Sequence, residues 1–395
     1  MLLTIKGSIP QLRFKDDNGN DFPVWGKNRL KDISQPVKRK SNLVEAIPIL
    51  TISAGRGFLN QSDRFSKVIA GTSLKNYTLL KKGELSYNRG NSKTFPYGCI
   101  YSLKNYDEAL VPNVYRSFKL NTGMNSLFYE YLFSKRYADR QLRRFISSTA
   151  RMDGLLNINQ DDFYSLWVPT LAEKEQQKIA DFFSLLDRRI EKQQEKVEAL
   201  REYKKGMMQK LFSRELRFRD DDGGEFGEWG TYKFSDLFTS ISTKSYQILS
   251  TEYQDKGLFE VVDQGQSLVV GYTDRKDKLY NQGPAIIYGD HTTIVKFRTS
   301  SFVIGADGTK ILINKRSSDS IQYLYYALCY FNVISEGYKR HFSILKKISL
   351  TVPIEKEQQK IADFLSKIDN KIEKEEGKLK ALTEEKKGFM QQMFV

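Results

Sequence analysis

Only two cysteines and two histidines stand among the 395 residues. Cys99 and Cys329 lie far apart in sequence, which excludes a disulfide scaffold and a zinc finger or ribbon and fits a reducing compartment. His291 and His341 give no basis for a histidine-rich metal site. The longest membrane-like stretch, Leu324 to Ile334, is too short to span a bilayer and holds Asn332 and three tyrosines, so it reads as a buried helix. Met1 to Pro10 lack an apolar stretch followed by a small-residue cleavage site, so no signal peptide is expected. Catalytic signatures are missing too. There is no G-x-x-x-x-G-K-[ST] loop, no G-x-G-x-x-G fingerprint and no Asp/Asn-Pro-Pro-aromatic tetrapeptide of the amino-methyltransferase kind. Gly305 to Lys310 (GADGTK) has the wrong spacing for a phosphate loop and reads as a turn. Dispersed carboxylates holding Mg²⁺ would leave no such signature, so an enzyme with a cryptic site stays open.

What is present is size, aromatic content and positive charge. The length suggests two or three domains. Hydrophobic residues make up 40% and aromatics 13%, with 22 Tyr and 25 Phe, enough to build cores. Lys and Arg total 63 against 48 Asp and Glu, a formal net charge of +15. A chain this basic commonly meets a polyanion, most often nucleic acid.

Internal repetition organises the chain. EKEQQKIADF occurs at Glu173–Phe182 and again at Glu355–Phe364, 182 positions later. Carried to Ser213 and Val395, this offset aligns 41 positions, of which 25 are identical. Val168-Pro169 and Val352-Pro353 precede the two copies. Upstream, Leu12 to Ile33 and Leu216 to Leu237 match at 10 of 22 positions with an offset of 204, including Leu12/Leu216, Arg13/Arg217, Phe14/Phe218 and Trp25/Trp229. The blocks between these motifs are unlike one another. The segments are therefore 1–167 as a first variable domain, 168–213 as a first repeated helix, 214–351 as a second variable domain, and 352–395 as a second repeated helix. Similar frames around divergent blocks suggest one scaffold presenting two different recognition domains.

Each repeated segment reads as a long helix, rich in Glu, Lys, Gln, Leu and Ala. Acidic residues lie near the start and Lys204, Lys205 and Lys210 near the end of the first copy, which suits the helix dipole. Apolar residues step by four and three. The first stripe is Ile179, Phe183, Leu186, Ile190, Val197, Leu200, Met207 and Leu211. The second is Ile361, Leu365, Ile368, Ile372, Leu379, Leu382, Phe389 and Met393. Polar Gln193, Lys204, Glu375 and Lys386 interrupt them at matching places, and such interruptions fix register at some loss of stability. A helix of this length spans roughly 60 Å. An exposed apolar seam needs a partner, and an antiparallel pair of the two helices, related by a pseudo-twofold repeat, is the economical arrangement. The alternatives are packing of each helix on its own block, or dimerisation of two chains.

The variable blocks read as mixed α and β. Ala285–Tyr288, Ser301–Ile304 and Lys310–Ile313 are expected strands; Asn125–Phe145 and Ser320–Val333 are expected helices. Residues 12–167 carry 25 basic and 14 acidic side chains, whereas residues 216–351 carry 17 and 16. Candidate DNA-binding residues of the first block are Lys38, Arg39, Lys40, Arg56, Arg89, Asn91, Lys93, Arg143, Arg144 and Arg151. Those of the second are Arg275, Lys276, His291, Lys310, Lys339, Arg340 and His341. Arginine forks onto guanine, Asn onto adenine, and lysine holds phosphate. Gly55, Gly57 and Gly90 allow close approach of backbone to a phosphate.

In order and in these motifs the whole chain resembles the specificity subunits of type I restriction-modification systems. The residues that carry the resemblance are the duplicated EKEQQKIADF segments, the L-R-F…W motifs from Leu12 and Leu216, and the Val-Pro steps. The resemblance implies an α+β chain: two target recognition domains separated by an antiparallel coiled-coil spacer. It implies a noncatalytic, cytoplasmic bacterial or archaeal protein that reads an asymmetric bipartite site in double-stranded DNA. It also implies docking of two methyltransferase subunits and, in the full complex, restriction or motor subunits. S-adenosylmethionine, ATP and Mg then belong to those partners, with no cofactor, metal or catalytic residue on this chain. A coiled-coil architectural DNA binder without an enzyme partner is the competing expectation.

Overall fold

Two helices of 40 and 39 residues, Glu173–Phe212 and Glu355–Met393, carry the repeated segments. The computed structural model describes residues 10–40, 47–64, 71–90, 92–146, 155–305, 307–337 and 339–394. Glu173, Glu175, Glu355 and Glu357 occupy the first turns, where unpaired backbone N–H groups favour negative charge. Neither helix contains proline, and both start just after the Val-Pro steps. The fold is α+β. Its contacts divide it into two units: Met1–Lys192 with Leu379–Val395, and Gln193–Lys378.

In the first unit, a four-stranded antiparallel sheet has the order Ser34–Pro36, Arg116–Leu120, Leu85–Asn88, Cys99–Ser102. Three strand pairs accompany it: Gly26–Arg29 with Trp167–Thr170, Leu50–Ser53 with Gly57–Asn60, and Thr78–Lys81 with Glu108–Val111. The expected helix over Asn125–Phe145 is two helices, Ser126–Ser134 and Asp139–Phe145. Asn125 caps the first by accepting from Leu127 and Phe128 N–H. Arg136, at φ 66°, breaks the run, because a left-handed residue cannot continue a right-handed helix. The core joins Phe118, Phe128, Phe163 and Tyr87 to Ile179 and Phe183 of the first long helix, to Met393 of the second and to Phe394 just past its end. Tyr87 stacks on Phe163 with centroids 4.7 Å apart.

In the second unit, the four-stranded sheet has the order Phe238–Ile241, Thr309–Asn314, Ala285–Gly289, Val295–Arg298. A three-stranded sheet places Phe259–Val262 between Gly271–Thr273 and the short parallel strand Val303–Ile304. The expected strand at Ser301 thus starts two residues later. Helix Ile321–Phe331 is capped by Ser320, which accepts from Tyr323 N–H. It buries Tyr323, Leu324, Tyr326, Ala327 and Leu328 against Leu211 and Phe212 of the first long helix and Ile361 and Leu365 of the second. No described helix is long and apolar enough to cross a membrane.

Within each unit the two long helices run in opposite directions. In the first, Phe182 meets Phe389 with centroids 5.0 Å apart, and Phe183 stacks on Phe394. In the second, Lys204 pairs with Asp369 at 2.6 Å and Arg201 with Glu376 at 2.6 Å. Ten stripe residues are buried: Ile179, Phe183, Leu186, Val197, Leu211, Ile361, Leu365, Ile368, Ile372 and Met393. Ile190, Leu200, Met207, Leu379, Leu382 and Phe389 are half-buried.

The repeated motifs close on one another. Arg13 Nη2 and Trp25 Nε1 both donate to Glu175 Oε2, at 2.8 and 3.1 Å. Arg217 Nη2 and Trp229 Nε1 donate to Glu357 Oε2 at 2.8 and 3.0 Å. Both carboxylates are fully buried, which such a clasp makes tolerable because each charge has a countercharge and hydrogen bonds. A second matched set joins Tyr131, Asp187 and Lys386 in the first unit and Tyr326, Asp369 and Lys204 in the second. The lysines that interrupt the apolar stripes thus meet aspartates of the opposite helix.

Candidate nucleic-acid interface

One edge of the first unit's sheet gathers positive charge. Lys38 and Lys40 follow strand Ser34–Pro36, Arg89 follows Leu85–Asn88, and Arg116 opens Arg116–Leu120. The register sets Tyr87 opposite Arg116 and Pro36 opposite Phe118. Antiparallel pairing therefore brings the end of two strands and the start of the third to the same edge. Lys38, Lys40, Arg89 and Arg116 line a cleft of about 390 Å³ with Asn113, Tyr115, Gln160 and Tyr164. No carboxylate is among its described lining residues.

The arginines are anchored from below. Arg116 donates to Ile158 O, and Arg89 Nη1 to Leu156 O at 3.4 Å. The Nε atoms of both are buried without a hydrogen-bond partner. Burial and the neighbouring Arg89 charge push the Arg116 guanidinium below its ordinary value. Lys40 donates to Asn76 O, and Arg39 turns aside to pair with Glu84.

The other candidates of this unit lie apart from the cleft. Arg56 is exposed in the Ser53–Gly57 turn and lines a second cavity with Lys104, Glu130, Asp187 and Lys386. Gly55 and Gly57 have φ of 84° and 80°, which glycine adopts without strain. Lys93, Arg143 and Arg144 are exposed. Asn91 and Arg151 lie outside the described residues.

Several charges of the second unit are matched within it. Arg275 is bound by Asp277 and Glu252, which raises its guanidinium above its ordinary value and holds the Asp277 carboxyl down to about 2. Lys339 pairs with Glu336, and Arg298 with Glu260. Lys276 and Arg340 are exposed, while Lys310 is half-buried near the Phe342 ring. His291 lies on the Asp290–Thr293 turn, its N–H donating to Gln264 Oε1 at 3.1 Å. His341 does not face solvent and is corrected to a structural residue. It is fully buried, its Nε2 accepts from Glu336 N–H at 3.1 Å, and its Nδ1 lies 3.1 Å from Asp290 O. Its place in a Lys-Arg-His run suggested a surface cluster; tertiary packing turned the third residue inward.

Arg116 is the residue that sequence reasoning missed. It stands alone between Tyr115 and Ser117, outside any basic run, and only strand pairing brings it beside Arg89. Among the described residues, no group of three or more His, Cys, Asp or Glu side chains is arranged to hold a metal.

Comparison with known proteins gives these folds a family context. The family model for the Type I restriction modification DNA specificity domain matches residues 227–384. The type I restriction enzyme MjaVIII specificity subunit of Methanocaldococcus jannaschii is 23% identical over 298 residues, 66% of this chain and 68% of that protein. The crystal structure of the type I restriction-modification system S subunit from M. genitalium superposes with a TM-score of 0.63 at 16% identity, over 98% of this chain and 99% of that one. At that identity the likeness establishes the fold.

Proposed function

We propose that this chain, similar to the specificity subunits of type I restriction-modification systems, is itself such a subunit, and that its two variable domains each read one half of an asymmetric, bipartite DNA site. The two long helices set the gap between the half-sites and dock two methyltransferase subunits. Restriction or motor subunits join the complete complex. S-adenosylmethionine, ATP and Mg act in those partners, and this chain contributes recognition without catalysis.

The observation that carries this reading is the repeated clasp. The same Arg–Glu–Trp cluster fixes two unlike domains to two like helices. Divergent domains on similar mounts suit two different half-sites, while similar helices suit two identical partner subunits. The test is a genome-wide map of methylated adenines with and without this chain, in a host carrying the companion subunits. A split, asymmetric motif that appears only with the chain supports the reading. Replacing residues 12–167 with those of a relative is expected to change one half-site and leave the other. Methylation that is indifferent to the chain, with companions expressed and active, would favour the architectural binder.

A further inference from the structure

We infer that the Lys38–Lys40–Arg89–Arg116 cleft of the first unit seats a backbone phosphate of duplex DNA. This rests on the DNA-recognition reading above and assigns to it a place on the molecule.

Four cations converge on one sheet edge, and no described lining residue is acidic. Some neighbouring cations elsewhere among the described residues are matched by carboxylates. Arg275 has Asp277 and Glu252, and Lys196 and Lys378 share Glu375. No such carboxylate is among the cleft's described lining residues. Each arginine is pinned by a loop carbonyl through one guanidinium nitrogen and keeps a buried Nε without a partner. A guanidinium has five N–H donors, so most of the set remains for an incoming acceptor. An anion between the four charges relieves their mutual repulsion and accepts those donors at once. Phosphate meets both needs, and arginine forks match its oxygens. Asn113 and Gln160, on the same rim, offer amides beside the phosphate.

The test uses the full chain assembled with its companion subunits. Affinity for a duplex bearing the mapped motif, and for an unrelated duplex, is measured against salt concentration for wild type and for Lys38→Ala/Lys40→Ala. Both lysines are exposed, so an unchanged melting temperature confirms intact folding. The double variant is expected to bind both duplexes about tenfold more weakly, with a log–log salt slope reduced by roughly one to two, because each lost phosphate contact removes about one released counterion. The methylated motif is expected to stay the same. Arg116→Lys keeps the charge and loses the fork, so it is expected to weaken binding with little change of slope.

If wild type prefers its motif but both variants match its affinity and slope, the cleft assignment fails and the recognition reading stands. If wild type does not discriminate the motif duplex from the unrelated one, the recognition reading fails and the assignment falls with it. Millimolar inorganic phosphate or AMP is added in a parallel thermal-shift measurement. Stabilisation of wild type that the double variant lacks, without any difference in DNA binding, would make this a free-anion site and overturn the backbone assignment.

Discussion

Gln193 Nε2 donates to Glu375 Oε2 at 2.7 Å, and the two residues occupy the same position of the repeat, 182 apart. A residue that touches its own repeat equivalent marks the crossing point of an antiparallel pair. The neighbours obey the same rule: Lys196 and Lys378, again equivalent, lie 3.1 and 2.9 Å from the Glu375 carboxylate. Two glutamates here would repel, and two glutamines would leave both lysines without a countercharge. Divergence at this one position thus turns a symmetric contact into a complementary one.

This contact carries a pH signature. The Gln193 amide and the two lysines hold the Glu375 carboxyl down to about 2, below the usual glutamate value of about 4.3. A depressed folded-state value adds stability that is present above the unfolded value and is lost as pH falls toward the folded one. Glu375→Gln is therefore expected to lower the melting temperature at pH 7. The two melting curves should approach each other as pH falls from about 5 to about 2, since the other carboxylates are common to both proteins. A gap that stays constant across that range would contradict the assignment.

Register along the helices gives a second prediction. Inserting four residues between Lys196 and Arg201 moves Lys204 by roughly 6 Å along the axis and turns it by about 40°. Gln193–Glu375 and Lys204–Asp369 cannot then both form. Under the proposed function, the gap between the half-sites of the methylated motif is expected to change while the half-sites themselves do not. An unchanged gap would show that these helices do not set it.

The clasps predict matched losses. Glu175→Ala leaves the Arg13 guanidinium and the Trp25 indole N–H without their acceptor, and Glu357→Ala does the same to Arg217 and Trp229. Breaking a buried pair costs about 3 kcal/mol, at the low end of the usual range because the arginines keep some exposure. Glu→Gln retains an acceptor for the indole and is expected to cost less. Limited proteolysis, read by mass spectrometry, is expected to show Glu175→Ala opening the first unit and Glu357→Ala the second. Equal cutting of both units by either variant would refute a local role.

The frame was legible in the sequence because repetition made it so. The spacing of Ile179, Phe183 and Leu186, and of Ile361, Leu365 and Ile368, reports a buried helical face directly. The L-R-F…W motif was visible, but its meaning was not. That Arg13 and Trp25 meet Glu175 depends on contacts across some 150 to 160 residues. The cleft was half visible. Lys38, Lys40 and Arg89 sit in basic clusters, whereas Arg116 becomes their neighbour only through strand register. The break at Arg136 was hidden because nothing in Ser134-Lys135-Arg136 forbids a helix. The left-handed turn is imposed where Leu142 and Phe133 must both reach the core.

His341 separates structure from recognition most cleanly. Its ring is fully buried, with both nitrogens on backbone atoms of Asp290 and Glu336, and Phe342 N–H donates to Asp290 Oδ1 at 2.8 Å. The imidazole therefore ties the chain before strand Ser349–Val352 to the turn that carries His291. His341→Ala removes the ring's contacts with Glu336 N–H and Asp290 O and leaves a void where the buried imidazole stood, a loss of about 2 kcal/mol. The expected outcome is a lower melting temperature and a more protease-sensitive second unit. A direct phosphate contact would instead lower the salt slope of DNA binding at constant stability. Arg340→Ala, one residue earlier and exposed, supplies the contrast: it leaves melting unchanged, and any effect it has falls on DNA affinity. If His341→Ala melts like wild type and shifts only the salt slope, the buried tie is refuted and the histidine returns to the DNA-facing set.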